Sequence, residues 1–340
     1  MFEKNSNQKS FSNLSKKPLV LFFIGMAGSG KTTFIHRISL DLSYLKKSHY
    51  IINIDPASSN VPYTPNIDIR DTIDYKKIMK EYNLGPNGAI VTSLNLFATR
   101  FEQVKNIVCN CTNLLEYLII DTPGQIEVFT WSASGSIICE TFSSSFPVTF
   151  LYIVDLARAT HPLTFVSNIL YSCSVLYKSR LPLMMIINKV DITSADFIRE
   201  WLNDSDTFDK ALEKEEIFAG SFARSLASTL EYFYQKIVCV IISSLTGFGI
   251  FQLLNILKKT YLEFLISYQS ELEKNIINHI TNFKCNIKKE KTKISFKNSY
   301  NFNNNKFQSK KEESHYLKTI ELIIYLKIER DKIYSIEFSK

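Results

Sequence analysis

No apolar run in this sequence approaches the roughly 18–20 residues that a membrane-spanning helix needs. The longest candidates, Leu19–Ile24 and Val148–Val154, have the length of strands. Association with a membrane is therefore not expected. The first sixteen residues are polar and carry no apolar signal core, so secretion is not expected either. The six cysteines (Cys109, Cys111, Cys139, Cys173, Cys239 and Cys285) contain no CxxC pair. They read as reduced packing residues of a cytosolic protein, with a metal site as the weaker alternative. No His/Cys cluster is present to receive a metal cargo, and no segment repeats at the period of a solenoid.

What is present suits one large α/β domain with a modest extension: 340 residues, 45% of them hydrophobic. The net charge of +7 is unevenly spread. Residues 274–340 hold 15 Lys or Arg against 7 Asp or Glu, whereas the remaining 273 residues hold 25 against 26. The basic character thus belongs to the C-terminal segment. Such a tail can meet nucleic acid or acidic partners, but more often it is a solvated, disordered stretch. We expect a disordered N-terminus over 1–17, one domain over 18–281, and a tail over 282–340. Within that tail Lys284–Lys311 is rich in Lys, Asn and Ser, whereas His315–Tyr334 is apolar again and reads as a strand pair or a docking helix.

Strand-like apolar runs occur at Leu19–Ile24, Tyr50–Ile54, Tyr117–Ile120, Val148–Val154, Leu183–Ile187 and Ile237–Ile242. Helical patterns separate them, notably Ser93–Cys109, Pro162–Tyr177, Phe218–Tyr234 and Phe251–Leu265. Continuous apolar strands alternating with helices imply βαβ crossovers and a mainly parallel sheet buried on both faces. The first unit, strand then glycine-rich loop then helix, is the opening of a P-loop NTPase fold.

That loop, Gly25-Met26-Ala27-Gly28-Ser29-Gly30-Lys31-Thr32, fits G-x-x-x-x-G-K-[ST]. Its glycines let the backbone turn tightly, so successive N–H groups converge on a phosphate, and the following helix adds its positive end. Gly25, Ala27, Gly28, Ser29, Gly30, Lys31, Thr32 and Thr33 are therefore the expected phosphate-binding residues. Lys31 is expected to reach the β- and γ-phosphates and the Thr32 hydroxyl to coordinate Mg²⁺.

Asp121-Thr122-Pro123-Gly124 follows an apolar strand, which puts Asp121 at a carboxyl end, where ligands bind in open α/β sheets. Asp121 is the expected Mg²⁺ carboxylate, acting directly or through water. Gly124 can offer its N–H to the γ-phosphate and hinge on hydrolysis. Asn188-Lys189-Val190-Asp191 follows another strand. The Asp191 carboxylate can accept from both N1–H and the exocyclic amine of guanine, a donor pair that adenine lacks, so it selects GTP or GDP over adenine nucleotides. Asn188 either braces its loop or contacts N7, and the Lys189 stem covers the ring. Ser243-Ser244-Leu245 sits where a backbone N–H meets guanine O6, which adds Ser244 and Leu245 to the base site.

The strings between these motifs carry a resemblance. Leu84-Gly85-Pro86-Asn87-Gly88, Asn66–Asp71, Ser93–Arg100, Asp121–Glu127, Phe129–Gly135 and Ser143–Pro147 resemble the GPN-loop GTPases, in particular their type-1 branch, over about residues 18–265. The resemblance implies a dimer, formed with a paralogue or with a second copy, in which the GPN loop of one subunit reaches the other's γ-phosphate. It also implies a factor for assembly and nuclear import of RNA polymerase II, with polymerase subunits as partners. Such a factor is cytoplasmic and shuttles to the nucleus, without direct contact with nucleic acid. The tail here is basic, whereas type-1 tails tend to be acidic.

Within that family reading the loop has Met26 where related ATPases carry an activating lysine, so charge compensation must come from elsewhere. Gln125 can orient the attacking water, and Asn87, held in a Gly-Pro-Asn turn, can donate to the γ-phosphate in trans. Asp55 holds Mg²⁺ or its waters, and Glu127 relays a proton or positions Gln125. Arg70 and Arg100 are candidate arginine fingers. A kinase-like or metallochaperone-like relative and a scaffold that binds GTP without turning it over are the competing readings. The intact Asn188 and Asp191 argue against the kinase, the missing His/Cys cluster against the metallochaperone, and the intact Lys31, Thr32, Asp121 and Gln125 against the scaffold.

Overall fold

The computed structural model describes residues 17–213, 223, 225, 226, 237–258, 260 and 261, all within one compact unit bounded at Leu265. The N-terminal sixteen residues, the helical pattern Phe218–Tyr234 apart from three positions, the tail and its apolar stretch lie outside the described residues.

Seven parallel strands form one sheet: β1 (Leu19–Gly25), β2 (His49–Asn53), β3 (Ile67–Asp68), β4 (Tyr117–Asp121), β5 (Val148–Asp155), β6 (Leu183–Asn188) and β7 (Val238–Ile241), in the order β3-β2-β4-β1-β5-β6-β7. Every residue of β1, β4, β5 and β6 is buried, as their unbroken apolar sequences require in a sheet covered on both faces. The period of two inside each run decides which residue serves which face. Leu19, Leu21 and Phe23 of β1 enter one core with Phe34, Ile35, Ile38 and Leu42 of α1 (Lys31–Tyr44) and with Ile250, Leu253, Leu254 and Leu257 from the helical residues 250–258.

Phe22 points the other way. Its ring lies 5.4 Å from Phe150, 5.9 Å from Phe129 and 6.4 Å from Phe142. This second layer is built by α2 (Tyr75–Glu81), α3 (Pro86–Ala98), α4 (Phe101–Cys111), α5 (Ile126–Thr130) and α6 (Ala133–Ser143). Beyond it stand α7 (Pro162–Ser179), α8 (Asp196–Asn203) and α9 (Ser205–Leu212), joined by Phe165, Trp201 and Phe208. Among the described residues no helix is long and apolar enough to cross a membrane.

Two expectations change. The helical pattern Ser93–Cys109 is two helices, because the chain breaks at Thr99 and Arg100 between α3 and α4. The Gly-Pro-Asn string is the start of α3 rather than a free-standing turn. Gly85 is its N-cap with φ −68°, and Pro86 occupies the first turn, where its missing N–H costs nothing. Asn87 is thus fixed by a helix, and Gly85 uses no conformation reserved for glycine.

Candidate functional site: a phosphate loop joined to a base-reading loop

The carboxyl ends of all seven strands converge on one rim, as ligand sites in open parallel sheets do. β1 delivers the phosphate loop. Gly28 (φ 81°) and Gly30 (φ 92°) are left-handed, and a Cβ on Gly30 would stand 2.6 Å from Asn188 Nδ2, so glycine is required there on two counts. Lys31 opens α1 and is nearly buried. Its ammonium donates to the carbonyls of Gly25 (2.7 Å) and Met26 (3.1 Å). Burial lowers the pKa of Lys31, and the Asp121 and Asp55 charges oppose that shift. Thr33 is exposed on the first turn, whereas Ser29 is buried and its hydroxyl has no partner among the described residues.

β4 ends at Asp121, whose Oδ2 accepts from Thr32 Oγ1 (3.3 Å) and from the Tyr63 hydroxyl (2.6 Å). Burial pushes Asp121 up to about 6, although Tyr63, Lys31 and Thr32 all favour its charge. Asp55, beyond β2, is also raised by burial, against the opposing hydrogen bond from Ala57 N–H (3.0 Å) and the charge of Lys31. Asp121, which accepts from the Thr32 hydroxyl, and the desolvated Asp55, which shares the Lys31 charge with it, make a set of hard oxygen donors whose charge the nearby cations only partly compensate. That set fits a divalent cation completed by phosphate oxygens and water. Among the described residues no group of three or more His, Cys, Asp or Glu is arranged to hold a metal by itself. Gly124 is half-buried, and a Cβ added there would meet Ala27 at 3.5 Å, so the two loops touch.

The segment between β2 and α2 is tied down by residues whose roles the sequence did not disclose. Asp68 receives Asn53 Nδ2 (3.1 Å) and a two-pronged pair from Arg70 (2.9 and 2.6 Å). Burial works to raise the Asp68 carboxyl, but the Arg70 hydrogen bonds outweigh it and hold the group low. Arg70 also reaches the carbonyls of Ser58 and Ser59. Its guanidinium is therefore committed to bracing this segment and is not available as a finger. Arg100 is exposed at the break between α3 and α4.

Gln125 is the N-cap of α5, and its Nε2 donates to Asn87 Oδ1 at 2.7 Å within the same chain. Glu127, two residues on, accepts from Tyr171 of α7, and that bond raises the Tyr171 phenol above its ordinary value. Tyr171 stacks on Trp131. Glu127 thus joins α5 to α7.

The base-reading loop is welded to the phosphate loop. Asn188 Nδ2 donates to Ser29 O (3.0 Å), while its Oδ1 accepts from the N–H (3.0 Å) and hydroxyl (2.8 Å) of Ser244. Asn188 therefore braces the loop. Ser244 spends its backbone N–H on Asn188 rather than on a base, and the exposed Leu245 is the remaining candidate at that position. Lys189, left-handed at φ 72°, donates to Gly28 O (2.9 Å) and to Asp155 (2.7 Å). Asp191 is exposed, with Oδ1 fixed by the Ser243 hydroxyl at 2.5 Å. The Ser243-Ser244-Leu245 string points to this place, but not to the Ser243 side chain as the partner of Asp191. Asp155 carries no motif, and only its position at the end of β5 could have flagged it.

Comparison with known proteins agrees with this geometry. Residues 23–263 match the family model described as "Conserved hypothetical ATP binding protein". The chain is 50% identical over 262 residues to GPN-loop GTPase 1 of Dictyostelium discoideum, which spans 76% of this chain and 65% of that protein, just under two thirds of its length. It is 46% identical over 268 residues to GPN-loop GTPase 1 of Schizosaccharomyces pombe, 76% of this chain and 73% of that one. Among solved structures, a GTPase from Pyrococcus abyssi in its apo form superposes with a TM-score of 0.64 at 26% identity, covering 72% of this chain and 97% of that one. The chain belongs to the GPN-loop GTPase family.

Proposed function

We propose that this chain binds GTP in preference to ATP and hydrolyses it with Mg²⁺. The family model's description speaks of ATP, whereas the relatives are called GTPases. The observation that supports guanine over adenine is Asp191, held by Ser243 on a loop that Asn188 fastens to the phosphate loop. A fixed carboxylate at that place leaves the donors of guanine paired and repels the acceptor edge of adenine. Thr32, Asp121 and Asp55 are the residues that would hold the ion, and a bound Mg²⁺ would neutralise charge developing on the transferred phosphoryl group. Lys31 would keep the Gly25 and Met26 carbonyls and offer its third N–H to the phosphates, and Gln125 and Asn87 would flank the attacking water. Turnover of GTP against ATP by the purified chain, with and without Mg²⁺, tests this. Equal use of ATP would defeat the base assignment.

We further propose the role that the type-1 resemblance implies: a dimeric assembly and nuclear-import factor for RNA polymerase II, cytoplasmic and shuttling to the nucleus. Its support is the similarity of the whole nucleotide-binding unit to type-1 relatives. Recovery of the tagged chain from cells, with identification of what accompanies it, checks the reading. Polymerase subunits and a paralogue are the expected companions. A consistent absence of polymerase subunits would remove this role and leave the nucleotide chemistry standing.

A further inference from the structure

For the N–H groups of a phosphate loop to face inward, its carbonyls must face outward, and each then needs a donor. The structure supplies one for every carbonyl from Gly25 to Gly30. Lys31 serves Gly25 and, together with the Ser29 N–H, Met26; Lys189 serves Gly28, Asn188 serves Ser29, and the Phe34 N–H serves Gly30. The remaining carbonyl, that of Ala27, accepts from Arg158 Nη1 at 3.2 Å. Arg158 follows β5 and belongs to none of the sequence motifs. Its guanidinium lies along the outer side of the loop, with Nη2 3.2 Å from where a Cβ on Gly28 would stand. Its Nε is 3.5 Å from the buried Asp155, the same carboxylate that holds Lys189.

We infer that Arg158 is a positioning residue for the phosphate site. It holds the Ala27 carbonyl outward, which turns the N–H of Gly28 in the same peptide plane toward the bound phosphate. Asp155 couples this brace to Lys189, so that one buried carboxylate aligns two cations on two consecutive carbonyls. The inference rests on the nucleotide-binding reading of this loop. Arg158 is exposed, and an ion pair of that kind adds little to folding. Its effect belongs in the geometry of the site, where small displacements cost far more than they do in stability.

The test uses the full chain and three variants, Arg158→Ala, Arg158→Lys and Arg158→Met, the last keeping the stem without a donor. Equilibrium affinities are measured for GDP and for GMP, which lacks the β-phosphate, alongside kcat for GTP and thermal unfolding. Arg158→Ala and Arg158→Met should each weaken GDP binding about tenfold and lower kcat by a similar factor, with GMP binding unchanged to within about twofold. Arg158→Lys, which retains a charge and a donor, should recover most of both losses. Wild-type GDP affinity in both donor-free variants would overturn the proposal. So would a parallel loss of GDP and GMP affinity, which marks general damage. So would a loss confined to GTP, which marks a contact with the γ-phosphate instead. If the wild-type chain itself fails to prefer GDP over GMP, the underlying nucleotide reading falls, and the variants are not needed to show it.

Discussion

The Asn87 side chain accepts a 2.7 Å hydrogen bond from Gln125 of its own chain. This uses the acceptor of the Asn87 amide and leaves its Nδ2 hydrogens to donate. It also leaves Gln125 Oε1 buried and without a partner among the described residues, an acceptor to which a water can donate. The two residues that the family resemblance marks for the γ-phosphate are thus one unit, resting on the first turns of α3 and α5.

Residues acting as a unit should be non-additive. Asn87→Ala and Gln125→Ala are each expected to lower kcat by about 10²-fold, the scale for removing one positioned donor, with GTP affinity changed far less. The double variant should be little worse than either single one, and a double-mutant cycle reads this directly. Multiplying losses would show that the hydrogen bond has no role in turnover. The donor left on Asn87 can also serve across a dimer. Mixing Asn87→Ala with Lys31→Ala should then restore part of the activity, because the Lys31→Ala subunit lends its Asn87 to an intact phosphate loop. Absence of recovery in proven mixed dimers would confine Asn87 to its own chain.

Asp191→Asn replaces an acceptor by a donor at the guanine edge and should cost on the order of 2–4 kcal/mol in GTP binding. Xanthine carries a carbonyl where guanine has the exocyclic amine, so the variant should gain affinity for xanthosine diphosphate. Competition binding with GDP and xanthosine diphosphate checks both halves. Ser243→Ala should show a smaller loss in the same direction, since it frees the carboxylate without removing it.

Asp121 carries a carboxyl raised from 3.8 to about 6 by burial. A carboxyl raised in the folded state favours folding in its protonated form. Its contribution is therefore most favourable at low pH, falls away as pH climbs from about 4 to 6, and is a penalty above that. A rise of that size corresponds to about 3 kcal/mol between the two protonation states. Asp121→Asn should consequently stabilise the nucleotide-free chain at pH 7.5, by an amount that shrinks toward pH 4.5, while abolishing hydrolysis. Denaturant unfolding of both proteins across that range measures it. A variant less stable than wild type at pH 7.5 would show that the carboxylate is not strained there.

Every contact described at the nucleotide site comes from residues 25–244. A chain ending at Asn282 should therefore retain full GTP turnover, and loss of most activity in a folded truncation would show that the tail completes the site.

The sequence by itself determined the phosphate loop, the Asp121-Thr122-Pro123-Gly124 and Asn188–Asp191 loops, and the strands that carry them. Those features are local. Four residues suffice to aim a backbone N–H or place a carboxylate at a strand end, and a buried strand writes itself as an apolar run. It also determined the family, because the intervening strings are long. Only the tertiary structure decided how these parts engage one another. Tyr63 meets Asp121, Asn87 meets Gln125, Ser243 meets Asp191 and Arg158 meets Ala27 across separations of 38 to 131 residues. Nothing in the local pattern announces a pair of that kind. Such pairs arise from the order β3-β2-β4-β1-β5-β6-β7, which sets strands distant in sequence side by side and brings their carboxyl ends to one rim. The same holds for Gly85-Pro86-Asn87. Its composition suits a turn or a helix start equally, and the packing of α3 against α2 and α6 selects the helix.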